Sequence, residues 1–91
     1  MRFVPVKSLE QQAVLCLHRV RQGFVEERTA TINRIRGLLS EFGLVLPQKT
    51  IAVRRGLPGL LDRLPVLTAQ ALADLYAHLV LLDERIRDYE R

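Results

Sequence analysis

Apolar residues along this chain fall into two helical stripes separated by a stretch dense in turn formers. In the first stripe Ala13, Leu17, Val20 and Phe24 repeat at four, three and four. After a break, Ile32, Ile35, Leu39 and Phe42 repeat at three, four and three. Both sets share one helix face, because positions three and four apart are neighbours on a helix surface. Ser8 and Gln11 have the spacing of a capping box, in which each side chain bonds the other residue's backbone amide. No proline follows until Pro47, and Gly43 stands where a left-handed residue stops a helix. The pattern predicts one helix over about 9–42, roughly 50 Å long, too long for a core of this size to cover. Arg28 falls inside the stripe with Arg21 at its edge, so Arg28 needs an ionic partner or marks the end of the helix that packs there. Gly23 and Gly37 lie off the stripe, where each costs about 1 kcal/mol relative to alanine.

Gly43 to Pro47 reads as a turn, with Leu44, Val45 and Leu46 apolar enough to fold back over the helix end. A short helical connector around Thr50 to Arg55 is expected next. Gly56, Pro58, Gly59 and Pro65 then argue against one long element, and leave Leu57, Leu60, Leu61 and Leu64 as a covered turn. Thr68 offers a cap for the last helix, expected over about 68–91. That helix carries the most regular pattern: Leu72, Leu75, Leu79, Leu82, Ile86 and Tyr89 keep three-four spacing without a miss, the signature of a coiled-coil seam. The expected fold is all-α: a long helical hairpin or coiled coil of two major helices and a short connector. Phe3-Val4-Pro5-Val6 at the start favours an extended arm over residues 1–7, with 8–91 as a single module.

Size and charge sharpen this picture. Ninety-one residues suit one domain, and with only five aromatics the core must be aliphatic, which suits helices better than a sandwich. Residues 1–55 hold ten Lys/Arg against four Asp/Glu, a balance of +6, and residues 56–91 hold four against six, a balance of −2. A basic part beside a mildly acidic one points to a polyanion on one surface and protein on another, with plain solubilising charge as the bland reading. No apolar run is expected to reach a membrane span and no signal-peptide core is read at the start, so the expected compartment is the cytosol.

Catalytic chemistry finds little to work with. Asp62, Asp74 and Asp83 are separated and read as solvated carboxylates on a turn or on exposed faces, while Glu26 and Glu27 are adjacent and point apart. His18 and His78 lie on different helices with no nucleophile placed beside them. Cys16 is single, so neither a disulfide nor a metal or cofactor site is expected. Better candidates are cations for phosphate contact: Arg19, Arg21, Arg28, Arg34 and Arg36 on the first helix, then Lys49, Arg54 and Arg55. They spread around the helix without interleaved aromatics, which weakens the case for base stacking. Self-association through the seam from Leu72 to Tyr89 is the expected partner interaction, because one antiparallel pair leaves apolar surface of the longer helix bare. A free-standing adaptor that takes another protein's helix on the last heptads is the alternative.

Several blocks add a resemblance. Arg2-Phe3-Val4-Pro5-Val6-Lys7-Ser8, Glu10-Gln11-Gln12-Ala13, Leu17-His18-Arg19-Val20-Arg21-Gln22-Gly23-Phe24, Arg28-Thr29, Asn33-Arg34-Ile35-Arg36-Gly37-Leu38-Leu39 and Glu41-Phe42-Gly43 resemble the helical middle of DEDD-type insertion-sequence transposases. From Arg55-Gly56-Leu57-Pro58 to Leu82-Asp83-Glu84-Arg85-Ile86 the likeness is looser. The resemblance implies a parent with a RuvC-like nuclease domain bearing acidic metal ligands, then a coiled-coil segment, then a small domain with a serine nucleophile. Members of that family recombine DNA, many guided by a structured RNA. No catalytic position carries over, since the acidic ligands would precede Met1 and the serine domain would follow Arg91; Ser8 and Ser40 do not match the nucleophile's motif. The resemblance therefore implies a fragment truncated at both ends, a dimerising linker without catalysis of its own.

Overall fold

A computed structural model describes residues 8–90. They form three α-helices, α1 (Leu9–Ser40), α2 (Thr50–Leu60) and α3 (Val66–Asp88), with a 3-10 turn at Leu61–Arg63 between α2 and α3. No strand occurs among them, in line with the all-α expectation. The expected arm over residues 1–7 and the terminal Arg91 lie outside the described residues.

Both ends of α1 follow their sequence signals. The Ser8 hydroxyl accepts from the Gln11 amide and the Gln11 side chain accepts from the Ser8 amide, each at 3.1 Å, so two orphan donors of the first turn are satisfied together. At the other end Gly43 takes φ +74°, a conformation that costs a side-chain-bearing residue. Its amide donates to Ser40 O at 3.1 Å and the Leu44 amide donates to Leu39 O at 3.0 Å, the paired bonds that close a helix through a left-handed residue.

The connector is more helical than its composition predicts. α2 runs straight through Gly56, Pro58 and Gly59, so the expected break after Arg55 does not occur. Pro58 lacks the N–H that would bond the carbonyl four residues earlier, at Arg54. The Tyr76 hydroxyl of α3 fills that vacancy, donating to Arg54 O at 3.0 Å, and Pro58 is thereby tolerated. At Gly56 the helix passes close under Leu46: a Cβ there would meet Leu46 Cδ2 at 2.6 Å, and the end of that leucine side chain would have to turn aside. The start of α3 also differs from expectation: Pro65 holds the N-cap and the helix begins at Val66, two residues ahead of the proposed cap Thr68, since proline suits a position that needs no amide donor.

α3 lies antiparallel along the second half of α1, as the pairings of Phe24 with Tyr89 and of Arg28 with Asp83 require. Ile32, Ile35 and Leu39 of α1, Val53 and Leu57 of α2, Leu64, and Leu72 and Leu79 of α3 form one buried aliphatic cluster. α3 is shorter than α1, so residues 8–20 extend past its end and are exposed throughout. The radius of gyration is 18.2 Å, against about 12 Å for a compact chain of this length, and the long dimension is 63 Å. One sequence expectation is corrected here: α3 does contain a stretch long and apolar enough, by length and composition, to match a membrane span. Its Leu72, Leu79, Leu82 and Ile86 are buried within the fold, while Val66, Leu67 and Leu81 of the same helix stay exposed.

Candidate nucleic-acid interface and helix seam

Arg28 does have the partner that its place in the apolar stripe demands. Asp83, on α3, is 8% exposed and accepts from Arg28 of α1 at 2.9 Å and from Arg54 of α2 at 3.2 Å, one carboxylate oxygen each. A carboxylate so buried is stable only with charge and hydrogen bonds supplied to it, and here two guanidiniums from different helices supply them. This corrects the expectation that Asp83 is a solvated side chain. The sequence signal was the arginine in the stripe, which called for a partner without saying where in the chain it lies.

Besides Arg28, the seven other candidate phosphate contacts divide into two groups. Arg21 pairs with Glu90 near the end of α3. Arg36 donates through Nε to Leu46 O at 3.0 Å, tying the loop after α1 back onto that helix. Arg54 is bound to Asp83. These three already hold contacts within the fold. Arg19, Arg34, Lys49 and Arg55 are exposed, and a flexible or planar cation in that setting is available to a phosphate oxygen. Arg34 lies on the second half of α1, Lys49 in the loop just before α2 and Arg55 on α2, whereas Arg19 lies on the overhang.

The seam of α3 is also used inside the chain. Leu72, Leu79, Leu82 and Ile86 are buried, Leu75 is half-buried, and Tyr89 packs its ring against Phe24 of α1 with centroids 5.9 Å apart. Most of the seam therefore packs against other parts of the same chain, with Leu75 and Tyr89 left partly open. Regular three-four spacing marks a seam without telling an internal partner from an external one. Large apolar side chains stay exposed on α1 at Leu9, Val14, Leu17 and Val20, and elsewhere at Val45, Ile51, Val66, Leu67 and Leu81.

Among the described residues no group of three or more His, Cys, Asp or Glu side chains is arranged to hold a metal ion. Cys16 is exposed and free. A shallow cleft beside the Asp83 cluster is lined by Arg28, Thr50, Arg54 and Arg87 among others, and nothing in it resembles a nucleophile with its base.

Comparison with known proteins gives the chain its relatives. It is 47% identical to a probable family 20 transposase from Pseudomonas aeruginosa over 97% of its own length. It is 40% identical to the transposase for insertion sequence element IS1111A from Coxiella burnetii over 99%, and 37% identical to the transposase for insertion sequence element IS1328 from Yersinia enterocolitica over its full length. The chain spans 24, 26 and 28% of these proteins. No protein-family profile matches it, and no solved structure does. Along nearly its whole length, then, the chain is similar to about one quarter of these transposases, two of them named for insertion sequence elements.

Proposed function

We propose that this chain acts in DNA transposition as a helical linker that self-associates and touches nucleic acid, with the catalytic chemistry carried by parts of a transposase that these 91 residues do not include. The observation behind this reading is the shape of α1: its second half is clamped into a hairpin by Asp83, and its first half is apolar, exposed and unsupported. A helix built that way suits joining one body to another. A nuclease domain of RuvC type in the parent remains part of the proposal, on the resemblance of the sequence blocks alone. A role on DNA also puts the chain in the cytoplasm. The adaptor reading is weaker, because the last heptads that would receive a partner helix already pack within the chain.

Binding of duplex DNA and of structured RNA, measured across a salt series, tests the nucleic-acid part. Substituting Arg34 and Arg55 together by alanine is expected to weaken binding and to reduce the slope of log affinity against log salt by roughly one unit per lost contact. Both residues are exposed, so the fold should be preserved. Absence of binding at low salt, or an unchanged slope in the double variant, refutes that contact. With divalent metal the purified chain is expected to leave DNA uncut, and specific metal-dependent cleavage would contradict the proposal.

A further inference from the structure

Beyond the aliphatic cluster, ion pairs and a ring contact join the last turns of α3 to α1. Arg21 pairs with Glu90, Phe24 packs on Tyr89, and Arg28 shares Asp83 with Arg54. The cleft at this open end of the hairpin brings together Arg28 from α1, Thr50 and Arg54 from α2, and Asp83, Arg87 and Glu90 at the end of α3. Both carboxylates already have counter-ions, since Asp83 takes two guanidiniums and Glu90 takes Arg21. Counting Arg21, four guanidiniums stand against two carboxylates, an excess of two positive charges over the cleft and its ion pairs. Arg28 and Arg54 each use one nitrogen, Nη1, on Asp83; a guanidinium carries five N–H donors, so most of each remains for a second anion. Arg87 is exposed, and among the described residues nothing bonds its side chain or the Thr50 hydroxyl.

We propose that this cleft binds a phosphate group, and that the bound group fastens the open end of the hairpin. The proposal rests on the nucleic-acid reading above and gives it a built site, separate from Arg34 and Arg55 and marked by Arg87. Planar guanidiniums suit phosphate because two parallel N–H donors meet two of its oxygens, and here three of them come from three helices. With a volume of about 290 Å³, the cleft falls just below the roughly 300–1,000 Å³ of pockets that enclose drug-sized molecules. It suits a single charged group, and being shallow it also admits a phosphate that belongs to a longer strand. Each helix contributes a donor, so a phosphate held there ties α1, α2 and α3 together by bonds that are lost when the hairpin opens. A ligand that binds only the closed form stabilises it. A backbone phosphodiester and a free phosphate ion or monoester offer the same oxygens to this site.

Thermal unfolding of the 91-residue chain, followed by circular dichroism with sodium phosphate replacing sodium chloride at constant ionic strength, tests the site. The wild-type midpoint should rise saturably, by roughly 6–11 °C once phosphate reaches about ten times its dissociation constant. Arg87→Gln should abolish most of that rise, and Arg85→Gln, the same loss of charge elsewhere on α3, should retain it. A rise equal in wild type and Arg87→Gln is the general stabilising effect of phosphate on folded proteins and overturns the site. A fall means that phosphate draws the arginines off Asp83, and overturns the fastening. Duplex binding distinguishes the sources. A backbone phosphate requires Arg87→Gln to weaken duplex binding several-fold and to lower the salt slope by roughly one unit. A free phosphate or monoester leaves duplex binding by that variant unchanged while the wild-type midpoint still rises, and the site stands. If wild type binds no duplex and the Arg87-dependent rise persists, the nucleic-acid reading fails and the cleft stands. If duplex binding depends on Arg34 and Arg55 and phosphate gives no rise, the cleft fails and the reading stands.

Discussion

The two halves of α1 have the same apolar rhythm and opposite fates. In the second half Ile32, Ile35 and Leu39 are buried, and Ile35 and Leu39 are wholly inaccessible to solvent. In the first half Leu17 and Val20 hold equivalent places in the pattern and stay open to water. Periodicity thus specifies a face that wants cover; the length of the neighbouring helix decides where the cover ends. Burying an aliphatic side chain contributes about 1.5–3 kcal/mol, so the stability of this chain sits between Thr31 and Leu39 on α1 and the residues facing them, while the overhang adds little to it.

Substitutions placed on either side of that divide should separate by size. The largest effect is expected from Leu79→Asp, which puts a carboxylate at a fully buried position and should cost several kcal/mol, enough to abolish the cooperative thermal transition seen by circular dichroism. Leu17→Asp, the same change on the overhang, should leave the unfolding free energy within about 0.5 kcal/mol when measured where the chain is monomeric. Equal losses at both sites would erase the distinction between the halves.

Asp83→Ala comes next. It leaves Arg28 and Arg54 facing each other without their shared acceptor, and urea denaturation should show a loss of about 2–3 kcal/mol. That is less than the roughly 3–5 kcal/mol typical of breaking a buried pair, because both arginines are about one-third exposed and can turn to solvent. Tyr76→Phe should cost about 1–2 kcal/mol by orphaning the Arg54 carbonyl. In a Pro58→Ala background the restored backbone amide can bond that carbonyl, and the same substitution should cost less; a double-mutant cycle reads the difference.

Ser8→Ala is the smallest and most local of these changes. Loss of the cap weakens a helix by about 1 kcal/mol, but the first turn is remote from the core. Hydrogen exchange should therefore quicken in the first turns of α1 while the global midpoint stays fixed, and a matching fall in global stability would mean that the overhang is coupled to the hairpin after all.

The elements themselves were readable in the sequence, because capping box, terminal glycine and periodicity act over a few residues. Ser8 with Gln11, Gly43, and the pairing demand at Arg28 all appear as local chemistry predicts. What was not readable depends on residues far apart. Tyr76 rescues the carbonyl freed by Pro58 from 22 positions beyond Arg54, so the connector looked broken on paper. Asp83 looked like one more surface carboxylate until α1 and α2 were brought against it. The spacing on α3 marks a seam but does not say what packs on it, and of the candidate cations Arg21, Arg36 and Arg54 are held by contacts 69, 10 and 29 residues away.

The clamp at Asp83 also bears on the order in which the molecule is made. Arg28 and Asp83 are 55 residues apart in the chain, whereas helix turns close within a few residues in about a microsecond or less. A contact that must enclose so long a loop forms after the local segments, since the entropy of closure is lost before the contact rewards it. Removing the Asp83 carboxylate is then felt mainly in the rate of unfolding, and the rate of folding hardly changes. In kinetic terms the buried carboxylate is expected to act as a bolt, lengthening the lifetime of the closed hairpin, and stopped-flow unfolding of Asp83→Ala in urea measures it.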